Sequence, residues 1–340
     1  MRAIVFDAPG SWSLQEVPDP VPGPRDVLVR VEAVGLCGTD IHVLDGEFAP
    51  TRYPIIPGHE TSGVIEAVGE RVTELAPGDR VSVDPTLTCG ECSFCAVGRS
   101  NLCEQWNGSG VARTNGSTAE LTLAPVRNVH RLPDGVDLAL AALIEPLSCA
   151  IHGYDLLPRR MGEHYLVYGA GTMGLMMAQL APRAGAASVT VLDRNPARLE
   201  VAQDVGVERV AISADDVDHV GGWDVVIDCT GVVAAIEDGL TRVRRGGVFQ
   251  QFGVAPAEAS ARFSPFGVYN DEITIVGSMA VLHSYARAVE MFAAGAVNAE
   301  RMVSHVYALA DYGEALEAFR AGTGRKLQIR PQLNESEQLL

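Results

Sequence analysis

The chain has 340 residues and a formal net charge of −17, from 43 acidic and 26 basic residues. A surface this acidic repels phosphate groups, which argues against nucleic acid or an anionic membrane as a partner. The chain enters a strand-like run at its first residues, without the pattern of a secretion signal, and no apolar run approaches the roughly 18 residues of a membrane helix. We therefore expect a cytoplasmic protein, long enough for two domains.

Short apolar runs broken by glycine and proline continue to about residue 145. Clear examples are Val27–Val34, Gly63–Val68 and Arg80–Val83. Such runs, separated by turn residues, are typical of antiparallel strands. We therefore assign residues 1–145 to a mostly β domain.

Two residue sets in this domain have the composition of metal sites. The first combines sulfur, nitrogen and oxygen donors in Cys37, His59 and Glu60. Each of these residues alone is more typical of a buried side chain, but together they match a catalytic zinc that keeps one coordination position open. The sequence therefore predicts a catalytic zinc here.

The second set is a cysteine-rich loop. Four of the seven cysteines lie within fifteen residues: Cys89, Cys92, Cys95 and Cys103. An odd total in a chain without a secretion signal argues against a disulfide framework. Four closely spaced thiolates are typical of a tetrahedral zinc with no open position, so we predict a structural zinc. A redox dithiol leaves two of these cysteines unexplained.

The pattern changes at about residue 146, where strand-like and helical segments alternate. Near-continuous apolar strands separated by helices predict a doubly wound parallel sheet over residues 146–280, and hence an α/β protein. The predicted strands are Tyr165–Tyr168, Ser188–Leu192, Glu208–Ile212, Asp224–Ile227, Gly247–Phe252 and Ile273–Val276. Beyond residue 280, two amphipathic helices flank a short strand.

A glycine motif of the form G-x-G-x-x-G follows the first of these strands. Its glycines are Gly169, Gly171 and Gly174, and a predicted helix, Leu175–Arg183, comes next. In this context Gly169 allows the tight turn, Gly171 lets the backbone approach a pyrophosphate, and Gly174 lets helix and strand pack closely. The helix N-terminus attracts the phosphates, so the motif predicts a dinucleotide site.

The end of the next strand indicates which dinucleotide binds. Asp193, nineteen residues beyond Gly174, is placed to bind the ribose hydroxyls, which favours NAD over NADP. Arg194 and Arg198 leave NADP open, because a guanidinium accepts a 2′-phosphate. We assign three further residues to the cofactor site: Thr172, Met173 and Thr230.

These motifs resemble those of the zinc-containing medium-chain alcohol dehydrogenase family over nearly the whole chain. The segments Gly58–Glu60 and Pro77–Val81, the cysteine-rich loop and the glycine motif all match. Cys37–His42 and Glu145–Cys149 are most similar to the sorbitol, arabitol and threonine dehydrogenase branch. The resemblance implies a GroES-like catalytic domain completed by residues 281–340, a Rossmann NAD-binding domain, and a homodimer or homotetramer.

The same resemblance implies a role for each matching residue. Cys37, His59 and Glu60 hold the catalytic zinc, and Glu145 is its fourth, exchangeable ligand. Thr39 and His42 carry the alcohol proton outward. Simple alcohol dehydrogenases complete the zinc site with a cysteine in this region, so Cys149 remains an alternative to Glu145, which we favour. We expect Cys149 to be a small buried helix residue.

The predicted function is NAD-linked oxidation of a secondary alcohol to a ketone. A polyol or sugar alcohol is favoured, partly by the branch and partly because two carboxylates, Glu60 and Glu145, make a polar site. One alternative is an amino-alcohol dehydrogenase of the threonine or aminocyclitol type. A non-catalytic nucleotide-binding relative is disfavoured because Cys37, His59 and Glu60 are all present.

Overall fold

A computed structural model describes residues 1–48, 50–217 and 219–339. The chain divides into two compact units. The first comprises Met1–Ser148, Val281–Gly295 and Val303–Leu340, and the second comprises Cys149–Ala280 and Ala296–Met302. Within the described ranges, every helix is too short or too polar to pass through a lipid bilayer.

In chain order, the strands are β1 (Arg2–Ala8), β2 (Ser11–Glu16), β3 (Asp26–Gly35), β4 (Glu60–Val68), β5 (Arg80–Val83), β6 (Thr86–Leu87), β7 (Asn107–Gly108), β8 (Leu121–Pro125), β9 (Val129–Arg131), β10 (Glu163–Tyr168), β11 (Ala186–Leu192), β12 (Arg209–Ala211), β13 (Trp223–Asp228), β14 (Val243–Gln251), β15 (Thr274–Gly277), β16 (Val303–Tyr307), β17 (Lys326–Ile329) and β18 (Glu337–Gln338). The helices are α1 (Gly38–Asp45), α2 (Ser93–Ala96), α3 (Ile144–Leu156), α4 (Thr172–Leu180), α5 (Pro196–Asp204), α6 (Val233–Arg242), α7 (Pro265–Asn270), α8 (Tyr285–Ala293), α9 (Ala299–Met302) and α10 (Tyr312–Arg320).

The first unit is built on a sheet with the strand order β18-β16-β17-β3-β4-β5-β9, in which β8 also pairs with β3. Neighbouring strands are antiparallel except for β16 and β17, which run parallel. The predicted mostly antiparallel β architecture is therefore present. The late strand β17 inserts beside β3, so the C-terminal segment belongs to the core of this sheet.

A hydrophobic cluster fixes β17 against the start of the chain. Leu327 and Ile329 are buried with Phe6 and Leu36, and Val43 of α1 joins the same cluster. Burying these side chains removes apolar surface from water and so stabilises the arrangement. As a result, α1 and the residue before it, Cys37, have a fixed position in the first unit.

The second unit contains a six-stranded parallel sheet in the order β12-β11-β10-β13-β14-β15. Its central strands are apolar on both faces, as Leu166, Val167, Val226 and Ile227 illustrate by being fully buried. The order is that of a doubly wound dinucleotide-binding sheet, and all six predicted strands are present. The carboxyl ends of β10 and β13 flank the point where the strand order reverses.

The helix after β10 differs from the prediction at both ends. It begins at Thr172, inside the glycine motif, because Gly171 is the N-cap. It ends at Leu180 rather than Arg183. Ala181 still has helical backbone dihedrals, but Pro182 has no N–H to continue the helical hydrogen bonds, and a short 3₁₀ turn follows at Pro182–Ala184. The earlier start places the first helical turn directly beside the glycines.

The position of β17 in the core can be tested by shortening a buried side chain. Ile329 is 1% exposed, so Ile329→Ala should lower the free energy of unfolding of the first unit by about 2–5 kcal/mol. Val21→Ala is the control, because Val21 is 83% exposed and should change it by less than about 0.5 kcal/mol. Urea unfolding followed by the fluorescence of Trp12 and Trp106, which pack against this cluster, measures both. Equal effects would contradict the placement of β17.

Candidate metal and cofactor sites

The three residues of the predicted catalytic metal site lie together. One ligand atom from each of Cys37, His59 and Glu60 lies within 4.8 Å of the others. The pairing of β3 with β4 sets Gly35 opposite Glu60, and Cys37 follows Gly35 by two residues. Sheet register therefore brings together residues that are far apart in the sequence.

The turn before His59 requires a glycine. Gly58 has a φ of +93°, a left-handed conformation that a side chain disfavours. A Cβ atom at this position would also come within 2.4 Å of Thr118 Oγ1. Gly58 thus allows the close turn that directs His59 and Glu60 into the site.

The buried carboxylate of Asp40, which the sequence analysis did not assign, links Cys37 to the turn before His59. Asp40 Oδ2 accepts a hydrogen bond from the Cys37 backbone N–H at 2.9 Å, and Oδ1 accepts one from the Gly58 N–H at 3.3 Å. Asp40 Oδ1 also lies 3.4 Å from His59 Nδ1, as is common for histidines that ligate metals. Burial lowers the pKa of His59, but the Asp40 carboxylate, together with Cys37, outweighs it and holds that pKa well above its usual value.

The Glu60 carboxylate is held by one oxygen and unpaired at the other. Lys326 Nζ donates to Oε1 at 2.6 Å, whereas the buried Oε2 has no hydrogen-bond partner. A buried carboxylate oxygen without a partner is costly unless a cation satisfies it. Together with the thiol of Cys37 and the imidazole of His59, it forms a donor set that fits zinc.

Lys326 is the second residue that the sequence analysis missed. It lies 266 positions from Glu60, so no local spacing connects the two. One signal was available, because Lys326 is the only lysine among 26 basic residues. A single lysine where every other basic residue is an arginine indicates a position at which the two are not interchangeable.

The remaining predicted catalytic residues lie on α1 and α3. Cys37 Sγ is 3.7 Å from Thr39 Oγ1, and His42 Nδ1 is 2.7 Å from Glu47 Oε2. Glu145 is buried in the first turn of α3 but is not a member of the three-residue group. Cys149, one turn later, is partly exposed, so the expectation that it is buried was wrong. The helix leaves its side chain only partly covered.

The four cysteines of the loop converge as a tetrahedral site requires. The Sγ atoms of Cys89 and Cys95 are 3.9 Å apart, those of Cys92 and Cys103 are also 3.9 Å apart, and those of Cys103 and Cys89 are 3.4 Å apart. Zinc–sulfur bonds of about 2.3 Å in a tetrahedron imply sulfur separations of about 3.8 Å. Backbone N–H groups of Cys95 and Glu104 lower the pKa of Cys92 to about 6, whereas burial and the neighbouring Cys92 side chain raise the pKa of Cys95 to about 12. The set fits a zinc with no open position.

The glycine motif has the geometry of a phosphate-binding turn. Gly169 has a φ of +98°, and a Cβ at Gly174 would come within 1.8 Å of the Gly169 carbonyl oxygen. By contrast, a Cβ at Gly171 would meet no atom within 4 Å. This open space lies at the N-terminus of α4, whose first turn contains Thr172 and Met173, and it fits a pyrophosphate.

Asp193 connects this turn to the end of β11. Its Oδ2 accepts a hydrogen bond from Ala170 N–H and its Oδ1 one from Asn195 N–H, both at 2.8 Å. Arg198 Nη1 is 3.8 Å from Oδ2, while Arg194 is exposed. Thr230, after β13, donates its hydroxyl hydrogen to Asp228 Oδ1 at 2.6 Å.

Two known protein families match the chain. The alcohol dehydrogenase GroES-like domain matches residues 23–134, and the zinc-binding dehydrogenase family matches residues 172–294. D-arabinitol dehydrogenase 1 of Uromyces fabae is 34% identical over 342 residues, covering 97% of each chain. Sorbitol dehydrogenase of Halalkalibacterium halodurans is 34% identical over 345 residues, covering 97% of this chain and 99% of its own.

The chain belongs to the zinc-containing medium-chain alcohol dehydrogenase family. A solved structure agrees: a zinc-binding dehydrogenase from Sinorhizobium meliloti 1021, bound to NADP, is 33% identical with a TM-score of 0.91. The match covers 97% of this chain and 99% of that one. The predicted family and fold, a GroES-like domain with a Rossmann domain, are therefore confirmed, and the protein is a zinc-dependent dehydrogenase with a nicotinamide cofactor.

Two glycines of the cofactor turn should respond differently to the same added methyl group. Gly174→Ala overlaps the Gly169 carbonyl oxygen and should destabilise the dehydrogenase by about 1–3 kcal/mol. The methyl group added by Gly171→Ala projects into open space in the protein, so thermal stability should stay unchanged. The same methyl group would occupy the space of the pyrophosphate, so NADH affinity should fall at least about tenfold, or about 1.4 kcal/mol. Thermal unfolding and NADH fluorescence titration separate the two effects. Wild-type NADH affinity in Gly171→Ala would place the pyrophosphate elsewhere.

Proposed function

We propose that this dehydrogenase oxidises a secondary hydroxyl of a polyol or sugar alcohol to a ketone with NAD. The observation that carries the proposal is the donor set of Cys37, His59 and Glu60, with one unpaired Glu60 oxygen. A carboxylate in place of a second thiolate gives a polar site suited to a substrate with several hydroxyls. The names of the arabinitol and sorbitol dehydrogenases that it resembles support the same substrate class.

We assign the catalytic metal to Cys37, His59 and Glu60, with Glu145 as the exchangeable fourth ligand. A zinc ion bound there supplies Lewis acidity, which lowers the pKa of a substrate hydroxyl. Glu145 is buried in the first turn of α3 and belongs to the same compact unit as Cys37, His59 and Glu60. Cys149 is then not a ligand.

The substrate proton leaves along α1. The hydroxyl of Thr39, 3.7 Å from Cys37 Sγ, accepts the proton and passes it toward His42. Residues three apart on a helix lie on the same face, which suits a relay between Thr39 and His42. Glu47 accepts a hydrogen bond from His42 Nδ1 and so orients the imidazole.

The second unit binds the cofactor, and hydride acceptance is the chemistry that NAD supplies. Gly169, Gly171 and Gly174 shape the phosphate site. The Asp193 carboxylate at the end of β11 repels a 2′-phosphate, which supports NAD. The S. meliloti structure holds NADP, so both cofactors belong in the assay.

We further propose a cytoplasmic homo-oligomer, either a dimer or a tetramer. Strand β15 is an edge of the parallel sheet, and its Ile275 is 45% exposed. On α7, Phe266 is 70% exposed and Tyr269 is 81% exposed. An edge strand accompanied by exposed apolar side chains is a surface that association with a second copy would cover.

The substrate class can be tested with zinc-loaded enzyme and a panel of alcohols. NADH formation is measured on sugar alcohols, cyclitols, simple secondary alcohols and threonine, with NADP as the alternative cofactor. We expect kcat/KM for a polyol to exceed that for simple secondary alcohols at least about tenfold, because a polar site loses hydrogen bonds to a substrate that lacks hydroxyls. Turnover limited to simple alcohols, or to threonine, would show that the substrate proposal is wrong.

A further inference from the structure

The chain contains a single lysine, and that lysine is buried beside the candidate metal site. The side chains of Lys326 and Glu60 are only 3% and 2% exposed, and their charged atoms are 2.6 Å apart. Burying an ion pair carries a large desolvation penalty, and an apolar pair of similar volume is often at least as stable. Stability alone is therefore a poor explanation for this pair.

The pair spans a strand at the one place where the strand has no side chain. Gly35 on β3 is opposite Glu60 on β4 and opposite Gln328 on β17. Lys326, two residues before Gln328, lies on the same face of β17 as Gln328. A Cβ at Gly35 would come within 2.0 Å of Glu60 Oε2 and 2.7 Å of Lys326 Cε, so only glycine lets the two side chains meet.

The contact uses one carboxylate oxygen and leaves the other available. Oε1 accepts the Lys326 hydrogen bond, and Oε2, buried and without a partner, belongs to the carboxylate that faces Cys37 and His59. An ammonium is a compact point charge that can occupy one oxygen, whereas a guanidinium fork favours both oxygens of a carboxylate. A lysine at this position therefore leaves one oxygen for a metal.

We propose that Lys326 is a positioning residue for the catalytic metal, holding Glu60 by one oxygen so that the other is directed at the ion. This inference rests on the proposed function, because it requires a metal at Cys37, His59 and Glu60. It goes further by assigning to Lys326 control over how Glu60 binds. A merely structural pair would affect folding and leave metal affinity unchanged.

Zinc titration of the full-length apoprotein tests the proposal, with the four-cysteine loop as an internal reference. Wild type should bind two zinc ions per chain. Lys326→Met should keep the loop zinc and bind the second zinc about 10- to 100-fold more weakly, as is typical when a residue that orients a ligand is lost. The visible spectrum of cobalt in the second site should also change, because the Glu60 contact is altered.

A double-mutant cycle separates action through Glu60 from other effects. Glu60→Gln should weaken the second zinc site, and adding Lys326→Met should weaken it no further. The double variant removes both charges of the buried pair, so it remains informative if Lys326→Met alone fails to fold. Additional loss in the double variant would overturn the proposal.

The single lysine also provides a measurement on the unmodified protein. Protein grown with ¹⁵N-labelled lysine has one side-chain Nζ signal, from Lys326. We expect this signal to shift when zinc binds at Cys37, His59 and Glu60, and to stay unchanged when zinc binds the four-cysteine loop. The inference would be overturned if Lys326→Met bound the second zinc as tightly as wild type does, or if the Lys326 Nζ signal did not change when the second zinc binds. Either result would leave the proposed function intact. A wild type that binds only the loop zinc would overturn both.

Discussion

The strand pairing of the first unit depends on the Glu60 carboxylate, which is buried where three strands meet and whose charge must be neutralised. Glu60 lies at the start of β4, Lys326 at the start of β17, and Gly35 at the end of the strand between them. An unpaired charge in this interior would be strongly destabilising. The ion pair therefore requires β17 to pair with β3 in this register, and the C-terminal segment must return to the first unit.

The same arrangement prepares the metal site before a metal binds. Asp40 holds the backbone at Cys37 and at Gly58, so the loop before α1 and the turn before β4 are fixed relative to each other. The unpaired Glu60 oxygen is a buried acceptor that a cation would satisfy. Preorganised ligands of this kind reduce the ordering that metal binding would otherwise require.

Features encoded by neighbouring residues could be predicted from the sequence, and features encoded by strand register could not. The cysteine-rich loop and the glycine motif each lie within about fifteen residues. Cysteine spacing identified the first, and the strand before and the helix after the glycines identified the second. Apolar runs alternating with helices were enough to predict the six parallel strands. Lys326 was missed because its contact with Glu60 depends on the order of three strands. Asp40 was missed although it follows Cys37 by three residues, a spacing typical of a capping carboxylate.

The central claim is that Glu60 is shared between Lys326 and the catalytic metal, and a crystal structure of the zinc-loaded protein tests it most directly. The account predicts zinc on Cys37 and His59 with one Glu60 oxygen at about 2.0–2.2 Å, while the other oxygen stays on Lys326 Nζ. A site completed by Cys149, with both Glu60 oxygens turned away from the zinc, would contradict it. In that case Lys326 would keep Glu60 off the metal, and the site would be that of a simple alcohol dehydrogenase.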